Sequence, residues 1–339
     1  MTPTFVVSTG RSGSTLVSNM VRLHPDVLSL SDLFVNLLPG AFPPGPLTGD
    51  GFWDVLGRPR RRETLMLRLG IADDEILYRP GPGARFTAET GVPPVLLTTL
   101  PHLTDAPEAL LDAIEEWTRA LDARPAGVQY ARLFAWLAGR FGRRAVIERS
   151  GSSLDWIEDL IAGFPGARFV HLHRDGRDCA ISMSRHSTFK LGVVGQRLRW
   201  RLGVDPFTSD EPPSAAPPAA LRPFMPETFD RERYRRLEVP FEELGRTWSR
   251  MVLRGAEHLA RLPGDRVLPI RYETLLAEPA EELRRLARFV GVAEDERWLR
   301  DAAALVRPTP HRWVTLPEDA RRRLEDACAP GMRLLYGES

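Results

Sequence analysis

Lysine is nearly missing from this chain: Lys190 is the only one among 46 basic residues, and the rest are arginine. Any cation that holds an anion here is therefore a guanidinium, which stays protonated at every physiological pH. The phosphate loop G-x-x-x-x-G-K-[ST] is excluded, because Lys190 stands in no such context. A nucleophile elbow G-x-S-x-G is also absent at the first loop, which argues against a serine hydrolase. Cysteine is scarce, with Cys179 and Cys328 as the full complement. With no C-x-x-C and no His/Cys cluster at metal spacing, neither a disulfide scaffold nor a structural zinc is expected, and a reducing compartment fits. No apolar run approaches the ~18 residues a membrane span needs. The N-terminus reaches Gly10 and Arg11 without the apolar core of a signal peptide, so a soluble, cytoplasmic protein with no transmembrane segment is expected. A net charge of +1 gives no global field for wrapping nucleic acid. No nucleic-acid partner is expected, and an anion must be held locally.

What is present is enough apolar material for a sizeable core, 43% of 339 residues. Phe5, Val6 and Val7 read as a short strand that runs through small residues into a helix marked by Leu16, Met20, Val21 and Leu23. Further on, helices are expected over about 107–122, 128–140 and 154–162, with strands at 145–147 and 168–172. A helix through Cys179, Ile181 and Met183 follows, then amphipathic helices around Trp248–Leu259 and Leu283–Val290, with a strand at 267–270 between them. This alternation predicts an α/β fold, a mainly parallel central sheet covered by helices. A single domain over 1–339 accommodates it, with insertions at about 39–101 and 190–240. Residues 39–60 and 79–101 are rich in Gly and Pro and read as irregular. Residues 206–226 carry seven prolines and read as a lid or mobile loop, or else as a passive linker.

Two segments carry chemistry. In Ser8-Thr9-Gly10-Arg11-Ser12-Gly13-Ser14-Thr15-Leu16 a glycine-bearing turn joins strand to helix, which aims successive N–H groups and the positive helix end at an anion. Ser14 and Thr15 add hydroxyls and Arg11 a fixed charge; alternatively Ser14 only caps the helix and Arg11 is solvated surface. In His171-Leu172-His173-Arg174-Asp175-Gly176-Arg177-Asp178-Cys179-Ala180-Ile181-Ser182 strand, turn and helix recur, and Arg174 with Ser182 can grip a second anion. The plain reading of its charges is a surface salt-bridge net. His171 and His173 alternate onto one strand face; without a third ligand, hydrogen-bonded core histidines are expected rather than a metal site.

Together these motifs resemble the sulfotransferases that use 3′-phosphoadenosine 5′-phosphosulfate (PAPS), in particular their bacterial and Golgi-type branch. The resemblance implies a P-loop-like three-layer fold with PAPS as co-substrate and no metal. It implies that residues 9–16 form the 5′-phosphosulfate loop, with Arg11 bridging the donor and Ser12, Gly13, Ser14, Thr15 and Leu16 around its phosphate. Leu16 stands where many relatives have a tryptophan that stacks on adenine. The same resemblance implies that Arg174 and Ser182 bind the 3′-phosphate, that Tyr272 in Tyr272-Glu273-Thr274-Leu275 contacts adenine, and that Arg312 belongs to a basic cluster near the 3′-phosphate. Arg149, in Ile147-Glu148-Arg149-Ser150, matches the second cation.

Sulfuryl transfer, like phosphoryl transfer, is catalysed mainly by positioning and by neutralising oxygens. A general base still helps an alcohol acceptor. Asp32 lies 21 residues after Arg11, the interval at which Golgi-type relatives place a glutamate base; Asp32 or Ser31 can instead cap the next helix. Glu148 competes for the role or orients Arg149, and His102 in Leu100-Pro101-His102-Leu103 is a third candidate. The reading is sulfuryl transfer to a hydroxyl of a small-molecule, lipid or glycan acceptor. Its rivals are a P-loop-type kinase using ATP and a noncatalytic nucleotide-binding module. Phe34, Phe42, Phe52, Trp53, Phe207, Phe224, Met225 and Phe229 lie in or near the insertions and are expected either to line an acceptor pocket or to anchor loops. Nothing in the sequence marks an oligomeric state.

Overall fold

Thr4–Val7 (β1) is buried at every residue, as β-branched and aromatic side chains are in a strand covered on both faces. The computed structural model describes residues 2–72, 76–81 and 83–337. Four strands join β1 in one sheet: Val27–Ser31 (β2), Ala145–Arg149 (β3), Arg168–His173 (β4) and Val267–Arg271 (β5). Every pairing is parallel, in the order β2-β3-β1-β4-β5. Parallel neighbours need crossover connections, and helices supply them on both faces. The two-residue period then sorts the side chains: Phe5, Val7, Leu28, Leu30, Val146 and Phe169 enter one apolar cluster. Val6, Val27, Ile147, Val170 and Ile270 enter the other. The expected three-layer α/β architecture is what forms.

The helices that shape the site are Ser14–Arg22 (α1), Arg61–Arg68 (α2), Gly176–Ser184 (α3), Ser187–Leu202 (α4), Phe241–Leu259 (α5) and Glu318–Tyr336 (α6). After β1 the chain moves outward to β2, whereas after β3 it crosses β1 to reach β4. This divergence at the centre opens a crevice beyond the carboxyl ends of the strands, where sheets of this kind bind ligands.

Several expectations are corrected. The insertion at 39–101 is not wholly irregular, since it holds Gly49–Gly57, α2 and two short helices, Pro94–Leu97 and Thr99–Leu103. The proline-rich segment at 206–226 is packed down: Phe207 and Met225 are buried with Met66, Leu198 and Tyr234, and Arg61 donates to the Pro206 carbonyl at 3.0 Å. It is therefore anchored on α2 and α4. Among the described residues, no helix is long and apolar enough to cross a membrane.

Candidate active site

Between β1 and α1 the backbone of Gly10 (φ 77°), Arg11 (φ 55°) and Gly13 (φ 88°) is left-handed. A Cβ at Gly13 would stand 2.1 Å from Tyr272 Cε2, so only glycine lets the turn pass beneath that ring. Gly13 is also the N-cap of α1 and no side chain caps the helix. The capping role considered for Ser14 is thus unfilled, and the first-turn N–H groups and the positive helix end remain available to an anion. Gly10, Arg11, Gly13, Ser14 and Thr15 line a cavity of about 700 Å³. Ser12 is buried beneath them, its Oγ without a hydrogen-bond partner. Leu16 packs against the apolar cluster around Val6 and Val17 and is not part of the cavity wall.

The second motif faces the first. Arg174, at the end of β4, donates through Nη1 to the Arg11 carbonyl at 3.3 Å. Arg11 Nε donates to Ser182 Oγ at 3.1 Å. The Arg174 guanidinium lies 4.8 Å from the centre of the Tyr272 ring, and Tyr272 Oη shares a hydrogen bond of 3.3 Å with Thr309 Oγ1. Arg11, Arg174, Ser182 and Tyr272 all line the same cavity. Arg174, Tyr272 and Thr309 also line an adjoining one of about 450 Å³, together with Arg307 and His311. The salt-bridge net is not a surface feature, for Asp175 and Asp178 are buried. Asp175 pairs with Arg177 at 2.6 Å, and Asp178 accepts from the Arg312 backbone N–H at 2.9 Å. The Arg312 side chain is exposed and forms part of neither cavity wall.

At the ends of β2 and β3 the two candidate bases part company. Asp32 lines the cavity with Arg149. Arg149 Nη1 donates to Asp32 Oδ1 and Oδ2 at 2.8 and 2.9 Å, its Nη2 to Ser31 Oγ at 2.6 Å. The Gly151 N–H adds a third bond to Asp32 Oδ1 at 3.1 Å. Asp32 occupies the N-cap position of Leu33–Leu37, yet its side chain makes no capping bond; the carboxylate is turned to Arg149. Glu148 points to the opposite face of β3, is buried, and accepts from Ser150 Oγ at 2.6 Å. Burial pushes its pKa up to about 8, with a smaller contribution from Asp32 against the Ser150 bond and Arg149. Glu148 forms no part of the cavity wall.

His102, His171 and His173 lie elsewhere, whereas His186 lines the cavity. His102 is buried against Ser29 Oγ at 3.4 Å, and burial, with Arg22 and Arg149 nearby, lowers its pKa to about 4. His171 is held neutral by burial, pKa about 3, and His173 shares a bond of 3.2 Å with Tyr336 Oη. None of the three lines the cavity.

Among the described residues the non-glycine positions with left-handed backbone are Arg11, Asp32 and Ser152, and all three line this cavity. Backbone strain of roughly 1–3 kcal/mol each is tolerated where the surrounding structure fixes it, typically at functional sites. The far wall was not anticipated from the sequence. Val35, Met66, Ile76, Leu97 and Met251 form its apolar part, with Arg62, Glu63, Asp155 and Arg250 among them, while Phe189 stands over the first loop, its Cζ 2.9 Å from where a Cβ of Gly10 would be. None of the eight residues named as possible pocket lining (Phe34, Phe42, Phe52, Trp53, Phe207, Phe224, Met225, Phe229) belongs to it; they anchor loops in the apolar clusters. The signal for the far wall was the apolar spacing of Leu65, Met66 and Leu69 inside an arginine-rich stretch.

A model of the sulfotransferase family matches residues 85–208 and 218–296, more than half of the chain. The loop of Arg11 lies outside the matched segments. No curated protein matches. Among solved structures, the chain is similar to a sulfotransferase domain from the curacin biosynthetic pathway, at 16% identity over 97% of each chain and TM-score 0.49. It is also similar to the sulfotransferase domain of the Synechococcus PCC 7002 olefin synthase, at 19% identity over 97% of this chain and 94% of that one, TM-score 0.44. A third is sulfotransferase STF9 from Mycobacterium avium, at 15% identity over 98% and 76%, TM-score 0.46.

Proposed function

The chain belongs to the sulfotransferase family and moves a sulfuryl group, and on that premise we propose that its donor is PAPS, held between the two loops. The observation that carries this is their contact: Arg11 reaches Ser182 at 3.1 Å while Arg174 reaches the Arg11 carbonyl at 3.3 Å. Two arginine-flanked anion sites thereby open on one cavity, as a nucleotide with a phosphate at each end requires. The residues fit such a guest. The α1 N-terminus lacks a side-chain cap, and Ser12 Oγ and Arg149 Nε are buried without partners.

In this reading Ser14, Thr15 and the first-turn N–H groups of α1 hold the 5′-phosphate side. Arg174 and Ser182 hold the 3′-phosphate, and Tyr272 orients the base. When bound, PAPS supplies an activated sulfuryl group on a weakly basic leaving phosphate. Arg11 neutralises charge on bridging and non-bridging oxygens without giving up a proton. Asp32 takes the proton of the acceptor hydroxyl, and Arg149 Nη1, donating to both carboxylate oxygens, holds that carboxylate in place together with the Gly151 N–H. A strong base is not required where proton loss lags behind a loose transfer of the group. Glu148 positions Ser150, whose Oγ accepts the N–H groups of Phe34 and Val35 at 3.1 and 3.2 Å. The acceptor lies along the apolar far wall.

A thermal-shift comparison tests the donor. Adenosine 3′,5′-bisphosphate (PAP), the product nucleotide, raises the melting temperature, whereas ATP with Mg²⁺ does not. No shift with PAP or PAPS at millimolar concentration refutes the proposal, and a larger shift with ATP–Mg²⁺ favours a kinase. Tight PAP binding without transfer to any acceptor favours a noncatalytic module.

A further inference from the structure

Helix α4 leads from the donor loop to the surface. At its start Phe189 stands over that loop. Gly192 and Gln196 follow at helical spacing and line the same cavity. Trp200 comes one turn beyond on the same stripe, because residues four apart share a helix face. From Phe189 to Trp200 the helix rises roughly 16 Å. The opposite stripe, with Leu191, Val194 and Leu198, is buried in an apolar cluster, so the stripe that carries Trp200 faces outward.

Two features of this stripe are not required for folding. Trp200 is 75% exposed, and among the described residues no other large hydrophobic side chain exceeds 52%. A single exposed apolar residue is ordinary, but this one extends the wall of a binding cavity. Arg201 stacks on the indole, 4.1 Å from its centre, and the exposure leaves the other face open. Gly192 lies inside α4, where only proline is less favourable than glycine. Nothing stands within 4 Å of the position its Cβ would take, so packing does not demand the glycine. What it leaves is bare backbone between Phe189 and Gln196, a clear passage out of the cavity. Beyond the donor loops the charged groups of the wall balance, Arg62 and Arg250 against Glu63 and Asp155, and the rest is largely aliphatic. Such a wall suits an uncharged, flexible chain.

We propose that the acceptor is an uncharged long-chain alcohol whose hydroxyl lies at Asp32 and whose alkyl tail leaves the cavity over Gly192 and ends against Trp200. This rests on the donor assignment above and deepens it by giving the acceptor its length and exit. Continuity of the exposed stripe with the cavity identifies the occupant, since whatever reaches Trp200 along it is the outer part of what the cavity holds.

The test titrates 1-hexanol and 1-dodecanol calorimetrically into the full-length protein saturated with PAP. Extended, the longer alcohol is about as long as the stripe and the shorter about half. Wild type is expected to bind 1-dodecanol at least about 100-fold more tightly than 1-hexanol, a fraction of what full burial of the added methylenes would give. Trp200→Ala should weaken 1-dodecanol about tenfold and 1-hexanol less than about twofold, and Trp200→Phe should keep most of the wild-type affinity. Gly192→Gln fills the passage with a better helix former, so it should raise the melting temperature yet weaken 1-dodecanol at least about tenfold. The PAP affinity of each variant, measured alongside, establishes that it is folded. The inference is overturned if Trp200→Ala leaves 1-dodecanol unchanged or weakens both alcohols alike, or if Gly192→Gln leaves 1-dodecanol binding intact. It is equally overturned if a wild type that binds PAP gains nothing from the longer chain. Failure of PAP itself to bind refutes the donor assignment, and the inference with it.

Discussion

Replacing Asp32 by Asn separates its two proposed duties, and the structure sets the size of each. The carboxylate accepts from Arg149 Nη1 at both oxygens and from the Gly151 N–H at Oδ1. Both side chains are nearly buried, at 9% and 5% exposure. Asn keeps the shape and one acceptor, so the Gly151 bond survives, but an amide NH₂ then meets Arg149 donor to donor and the guanidinium loses its counter-charge. Breaking one half of a buried pair costs about 3–5 kcal/mol, whereas replacing both halves by neutral groups is often close to neutral. Asp32→Asn should therefore lower the melting temperature by several degrees, and Asp32→Asn/Arg149→Met should recover most of it. Activity should behave differently. With the base removed, kcat falls roughly 10²–10⁴-fold in both variants, and the PAP dissociation constant of Asp32→Asn stays within about threefold of wild type. The assay is transfer of radiolabelled sulfuryl groups at saturating PAPS, well below the variant's melting temperature, with PAP titrated separately. A folded Asp32→Asn protein whose kcat lies within threefold of wild type refutes the assignment of Asp32 as base.

Other consequences are as direct. Gly13→Ala forces a Cβ to 2.1 Å from the Tyr272 ring at φ 88°; with about 1–2 kcal/mol for the left-handed backbone and the ring displaced, PAP affinity measured by calorimetry should fall at least tenfold. Arg11→Ala should reduce transfer to background, while circular dichroism shows a folded protein. Glu148 has its folded pKa raised from 4.5 to about 8, so the native state binds the proton more tightly than the unfolded chain. Its contribution is complete below about pH 4.5 and is lost as pH rises through about 8. Wild type should thus lose stability relative to Glu148→Gln between about pH 5 and 8 in denaturant titrations, and parallel curves would contradict a buried acid.

The sequence made the two anion loops legible because each is a local device: an apolar strand, a turn with glycine and a helix start within a dozen residues. Their approach to one another was not local. It depends on β1 and β4 being neighbours, which the α/β alternation suggests but only the sheet order establishes. Strand β2 escaped notice because Ser29 and Ser31 look solvent-facing, although Ser29 bonds to Ser18 and Ser31 receives Arg149 inside the fold. Helix α6 was hidden by Pro330 and Gly331; the glycine is there because a Cβ would stand 2.4 Å from Trp248. The far wall was illegible for a related reason: α2 reads as a charged surface segment, and its buried face consists of Met66 alone. Aromatics scattered through the insertions drew attention as pocket lining, yet large rings stabilise most when fully buried, and the loops use them as anchors.

The central claim is that Arg174 and Ser182 answer the 3′-phosphate of the nucleotide whose 5′ end rests on α1. Its most direct measurement is the affinity of PAP against adenosine 5′-monophosphate for wild type and Arg174→Ala. PAP should bind wild type at least 100-fold more tightly, and the substitution should erase most of that difference by weakening PAP alone. Equal affinities for the two nucleotides in wild type, or an unchanged ratio in Arg174→Ala, would contradict the account.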